Sequence, residues 1–199
     1  MQAAATKVQK CWRGKIGRMD AEHARIFDRC WIYLGYESEV AAPGDFKTRR
    51  VAGRPILFAR DNSGAVRAYL NSCRHRGTLI CRERAGNQQR FVCLYHGWTY
   101  DQAGRLLTTT FDEHFPDGTD FSQLNLVRAP RVEIYKGLIF GCWDAETIDL
   151  EHYLGDLRWY LDALFWRTPG GMEVLAPPHR WRVRANWKVG ALNFIGDSQ

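Results

Sequence analysis

At 199 residues the chain is long enough for one domain with a buried core and part of another, and its 45% hydrophobic and 25% charged content is ordinary for a globular protein. No apolar run approaches the roughly 18 residues of a membrane span, and no apolar stretch near the N-terminus has the form of a secretory signal. The net charge of +6 is concentrated at one end: Lys7, Lys10, Arg13, Lys15 and Arg18 precede the first acid, Asp20, and leave the remainder near +1. That acid-poor arm is expected to be a solvated terminus, so neither a nucleic acid nor a membrane is predicted as a partner.

The six cysteines (Cys11, Cys30, Cys73, Cys81, Cys93, Cys142) are scattered and do not form a secreted disulfide framework. A reducing, cytoplasmic setting is therefore predicted, where closely spaced Cys and His point to a metal before a disulfide. Eight Trp, eight Tyr and ten Phe predict well-packed sheets.

In chain order, residues 20–34 read as an amphipathic helix. Asp20 is its N-cap, and Ala24, Ile26, Phe27, Trp31 and Leu34 form its apolar face. Ala42-Pro43-Gly44-Asp45 is a turn signal that closes this segment. From Phe46 to about Trp143 the pattern is β. Ile56–Arg60 and Ala65–Asn71 flank Asp61-Asn62-Ser63-Gly64 as a hairpin, and Phe91–Tyr95, Arg105–Thr109, Arg131–Tyr135 and Leu138–Trp143 are further strands. Strands this close together leave no room for crossover helices, so they are antiparallel. Leu150 to Phe165 reads as helix and Trp181–Val183 as strand, and Asn186 is placed to cap a helix over Trp187–Ile195. The fold class is thus α+β. Residues 1–37 form an arm and helix, 38–150 an antiparallel all-β domain, and 151–199 helical segments that begin a second, truncated domain.

The chemistry lies in two short stretches, Cys73-Arg74-His75-Arg76-Gly77 and Cys93-Leu94-Tyr95-His96-Gly97-Trp98, with 17 residues between His75 and Cys93. Each stretch supplies one thiol and one imidazole. In a [2Fe–2S] cluster each iron needs two protein ligands besides the bridging sulfides, and in the Rieske variant two thiolates hold one iron and two imidazoles the other. Cys73, His75, Cys93 and His96 are the four ligands this reading requires. Gly77 and Gly97, after the histidines, allow positive φ and close approach of backbone N–H groups. Zinc also takes two Cys and two His, but zinc fingers usually pair Cys with Cys and His with His. Cys81 has no evident partner and reads as a structural thiol.

The chain resembles the large (alpha) subunit of Rieske non-haem iron aromatic-ring-hydroxylating oxygenases from Phe27 to its end. The resemblance rests on the two cluster stretches, on Tyr153-Leu154-Gly155-Asp156, on Asn186-Trp187-Lys188, and on Asn193-Phe194-Ile195-Gly196-Asp197. Respiratory Rieske proteins carry an extra Cys in each loop. Thr78 and Tyr95 stand at those positions here, which disfavours that branch. The family commonly has an acid where Leu192 stands.

The resemblance implies that Asp197 is the bridge carrying electrons from a cluster histidine to the iron-ligating histidine of a neighbouring subunit, with Asn193 near that iron. It implies a mononuclear non-haem Fe(II) held by two His and one carboxylate, whose first His would follow Gln199 directly. By that spacing the iron ligands are expected to be absent from this chain, which is then expected to be an N-terminal fragment, inactive alone. A ferredoxin or reductase donor, an aromatic substrate with O2, and a homotrimer or α3β3 assembly are implied as well. Arg74, Arg76, Arg82, Arg84 and Arg90, against Glu83 alone, suit docking of an acidic donor. The alternatives are a free Rieske-type ferredoxin, which leaves the segment Asn186–Asp197 without a purpose, and a zinc-stabilised module.

Overall fold

The computed structural model describes residues 21–110, 115–176, 179, 181 and 183–196, with the side chains of 193–196 set aside. The basic arm, Asp20 and Asp197 lie outside the described residues.

Among the described residues, ten strands build three antiparallel sheets. The central sheet contains β2 (Asp45–Val51), β3 (Arg54–Arg60), β4 (Val66–Leu70) and β5 (Ala85–Asn87), in the order β4-β3-β2-β5. On one side lie β1 (Ile32–Tyr36), β9 (Arg131–Tyr135) and β10 (Leu138–Cys142), ordered β1-β10-β9. On the other lie β6 (Arg90–Val92), β7 (Thr99–Asp101) and β8 (Leu106–Thr108), in sequence order. The expected hairpin is present: β3 pairs with β4 from Ile56↔Leu70 to Arg60↔Val66 across the Asp61–Gly64 turn.

β3 shows why the layers stack this way. Ile56, Leu57, Phe58 and Ala59 are all buried, which requires cover on both faces. Successive strand residues face opposite ways. Leu57 and Ala59 accordingly join Phe46, Tyr69, Phe91 and Tyr100 in one core, while Ile56 and Phe58 join Leu34, Ala68, Ala129 and Ile139 in another. The same alternation along β10 sends Ile139 to the second core and Cys142 to a third, with Trp31, Leu150 and Leu154. That third core seats two short helices, α1 (Leu150–Leu154) and α2 (Leu157–Phe165).

Four expectations need correction. The helix over 20–34 is a short helical stretch ending in a π-helical turn, His23–Phe27, and the chain is extended by Ile32. Trp31-Ile32-Tyr33-Leu34 satisfies a helical spacing locally, but pairing with β10 buries Leu34 completely and overrides it. The helix over 150–165 breaks at Gly155, whose φ of 48° and ψ of −130° end α1 before α2 begins. The strand expected at Phe91–Tyr95 stops at Val92, because the residues from Cys93 onward form a loop. Trp181 and Val183 lie in no strand and are 83% and 75% exposed. Without a partner edge, β-favouring residues do not make a strand.

The helix expected after Asn186 is present as α3 (Trp187–Gly196), and the Asn186 side chain accepts the Lys188 N–H at 3.0 Å. Among the described residues no helix is long and apolar enough to cross a membrane.

One buried polar side chain ties the central sheet to the segment that follows the first Cys–His stretch. Asn71, 2% exposed, accepts N–H groups from Ile80 (3.1 Å) and Cys81 (2.9 Å) and donates to the Cys81 carbonyl (2.7 Å). Asn71→Ala strands three buried backbone groups and should cost on the order of 3 kcal/mol. Urea unfolding should show a lower midpoint with an unchanged slope, and an unchanged midpoint would contradict the role given to Asn71.

Candidate metal centre

Two loops of one design carry the four predicted ligands. In the first, after β4, the Cys73 N–H donates to the Thr78 carbonyl (2.8 Å) and the Gly77 N–H to the Cys73 carbonyl (2.9 Å). In the second, between β6 and β7, the Cys93 N–H donates to the Trp98 carbonyl (2.8 Å) and the Gly97 N–H to the Cys93 carbonyl (2.9 Å). The bonds fall at the same offsets, so the backbones are copies that differ in whether the third or the fourth residue is His. Both frames close through a left-handed residue, Gly77 at φ 75° and Gly97 at φ 70°. A Cβ on Gly77 would meet only Ser72 Oγ, at 3.7 Å, so the demand there is conformational. The Thr110 hydroxyl donates to the His96 carbonyl and pins the second loop to the chain leaving β8.

The loops sort their side chains by burial. Cys73 and Cys93 are 4% and 2% exposed, and their side chains are close enough to interact directly. His75 is exposed and His96 half-buried, with ring centroids 4.6 Å apart. Trp98, itself buried, stacks on His75 at 5.0 Å with the planes 11° apart, and Tyr95 lies 3.8 Å from His96. The result is a thiol pair inside and an imidazole pair at the rim.

The electrostatics follow from that placement. Burial, with the neighbouring Cys93, pushes the Cys73 thiol above its ordinary value despite a hydrogen bond shared with Tyr100. Such a thiol ionises when a cation compensates it. Desolvation, then His96 and Arg76, hold His75 below its ordinary value and so favour the neutral, ligating imidazole. Among the described residues, no group of three or more His, Cys, Asp or Glu is gathered for a single metal ion. Two sulfur and two nitrogen donors set in separate pairs fit a two-iron centre that takes two protein ligands per iron.

Cys81 stands apart from this set. It is buried, and desolvation pushes its thiol up to about 12, in keeping with a structural role. Tyr100, invisible as a site residue in the sequence, reaches the centre from β7. Its hydroxyl lies 3.4 Å from Cys73 Sγ and accepts the Arg74 N–H at 3.2 Å. Its one sequence signal is the strand period that puts Trp98 and Tyr100 on a common side of the chain after the second loop. Asn193 falls within α3, with its side chain outside the described residues, and Asp197 lies outside them altogether.

A family model described as the Rieske [2Fe-2S] domain matches residues 30–117. The chain is 42% identical over 180 residues to the alpha subunit of chlorobenzene dioxygenase from a Cupriavidus species, covering 89% of this chain and 39% of that protein. It is 42% identical over 174 residues to the large oxygenase component of a naphthalene 1,2-dioxygenase system from a Ralstonia species, covering 87% and 39%. Among solved structures, naphthalene 1,2-dioxygenase with indole in its active site superposes with a TM-score of 0.83 at 39% identity, over 90% of this chain and 40% of that one. The chain thus spans about two fifths of the length of the curated relatives it matches. Its paired Cys–His loops and the likeness that extends well beyond them lead to one conclusion: the chain belongs to the family of Rieske-domain large subunits of aromatic-ring-hydroxylating dioxygenases.

Proposed function

We propose that this chain is the electron-accepting portion of the terminal oxygenase of an aromatic-ring-hydroxylating system. Cys73 and Cys93 hold one iron of its [2Fe–2S] cluster, and His75 and His96 hold the other. The observation that carries this reading is the sorting of the two pairs, with both thiols buried and both imidazoles at the rim, their centroids 4.6 Å apart. When bound, such a cluster supplies reversible one-electron storage at a potential raised by its neutral ligands, roughly −150 to +300 mV.

The chain's own residues do the rest. The buried cysteines keep water from the sulfur side, Trp98 holds the His75 ring flat, and the exposed face of the imidazole pair is where electrons leave. By resemblance, Asp197 links that face to the iron-ligating histidine of a neighbouring subunit, with Asn193 near the iron. The family spacing puts the mononuclear Fe(II) ligands after Gln199. There an aromatic substrate would meet O2, in a homotrimer or an α3β3 assembly, in the cytoplasm. A ferredoxin or reductase is the donor. Arg74, Arg76, Arg82, Arg84 and Arg90 are all exposed and give an acidic donor a surface to steer towards.

Two outcomes test this. Cys73→Ser, His75→Ala, Cys93→Ser and His96→Ala should each abolish the Rieske-type paramagnetic resonance signal of the reduced protein, while Cys81→Ser keeps it along with two irons per chain. A signal that survives loss of any of the four would remove that residue from the ligand set. Reversing Arg82 and Arg84 to Glu should slow reduction by the donor several-fold at low ionic strength and flatten its salt dependence. An unchanged salt dependence would contradict the docking surface.

A further inference from the structure

We propose that Glu22 is a positioning residue for electron transfer out of the centre, its carboxylate holding the first turn of α3 and so fixing the direction in which that helix runs towards Asp197. The proposal rests on the reading of Asp197 as the bridge to the iron of a neighbouring subunit. Asn186-Trp187-Lys188 carries part of the family resemblance but lies on neither cluster loop. The Trp187 indole N–H donates to Glu22 Oε2 at 3.0 Å, and the Lys188 ammonium lies 2.9 Å from Glu22 Oε1. Both carboxylate oxygens thus hold consecutive residues at the start of one helix. Phe27 packs its ring on Trp187, with centroids 5.3 Å apart. A carboxylate at that end of a helix also meets the positive end of the helix dipole.

The anchor is itself fixed to the sheet that supports the cluster loops. Glu22 belongs to the short helical stretch that ends at Phe27. The next residue, Asp28, pairs through both its oxygens with Arg54 at the start of β3, one of the two contacts being 3.1 Å. The route from the central sheet to α3 is therefore short: Arg54, Asp28, one helical turn, Glu22. Length makes the anchor matter. α3 has ten residues, which puts its last about 14 Å along the axis from its first. Asp197 follows directly in the sequence. A tilt of about 5° at the first turn moves the far end by about 1 Å. Misplacements of that size, caused far from the reacting atoms, are enough to slow a step greatly. One electron at a time leaves the reduced cluster for the iron and the donor then replaces it. Glu22 acts on the first of these steps and not on the second.

The test separates the two steps in the assembled oxygenase by stopped-flow absorbance of the cluster. Glu22→Ala should slow, several-fold, reoxidation of the reduced cluster by O2 in the presence of benzene, naphthalene or biphenyl, whichever serves the wild type best. Reduction by dithionite, iron content and cluster midpoint potential should stay at their wild-type values. Glu22→Lys should slow reoxidation further, and Glu22→Lys combined with Lys188→Glu should recover part of the loss by restoring the ion pair. That pattern supports the proposal. Wild-type reoxidation in Glu22→Ala overturns it and leaves the cluster assignment standing. So does a slowing that the charge swap does not reverse, or one that comes with a shifted potential. If Glu22→Ala does not assemble, Glu22→Gln, which keeps an acceptor for Trp187 and loses the charge, decides by the same criteria. A wild-type enzyme whose reduced cluster is reoxidised with none of the three substrates overturns the proposed function and this role together.

Discussion

Two cysteine thiols buried side by side are the constraint around which the described fold is organised. Sulfur of that kind is stable in an apolar interior while it is protonated, and burial pushes the Cys73 thiol further that way. To ionise, it needs a cation and hydrogen-bond donors held in place beforehand. The two loops supply the frame from backbone alone, repeating the same two N–H···O bonds and the same left-handed glycine. Tyr100 and the stacked Trp98 supply the side-chain part.

Rigid support for the loops comes from a central sheet covered on both faces. Because Leu57 and Ala59 face the loops while Ile56 and Phe58 face away, β3 binds the site to the second core through a single strand. Asn71 fixes the end of β4 to the backbone at Ile80 and Cys81. A site built on strands and locked by buried hydrogen bonds holds its geometry more closely than one on free loops. Small reorganisation is what a one-electron carrier needs, since its work is done between two states of nearly equal structure.

The parts of this arrangement that are local in sequence were legible there. The two Cys–His stretches, the hairpin around Asp61–Gly64 and the Asn186 cap each follow from residues within a few positions of one another. What was not legible depends on partners far along the chain. Trp31–Leu34 is extended because β10, more than 100 residues later, offers it an edge. Trp181 and Val183 lie in no strand, and among the described residues no strand edge is paired with them. Tyr100 looks like any buried aromatic residue until the first loop folds back over it, and Asn71 looks like a turn residue until Ile80 and Cys81 arrive.

The central claim is mixed ligation, with two thiolates on one iron and two imidazoles on the other. Electron–nuclear double resonance on the reduced chain, produced with 15N-labelled histidine, tests it most directly. The account predicts that the nitrogens of two different histidines are coupled to the cluster spin. A paramagnetic centre with no histidine nitrogen coupling, or a colourless chain holding zinc, would contradict it.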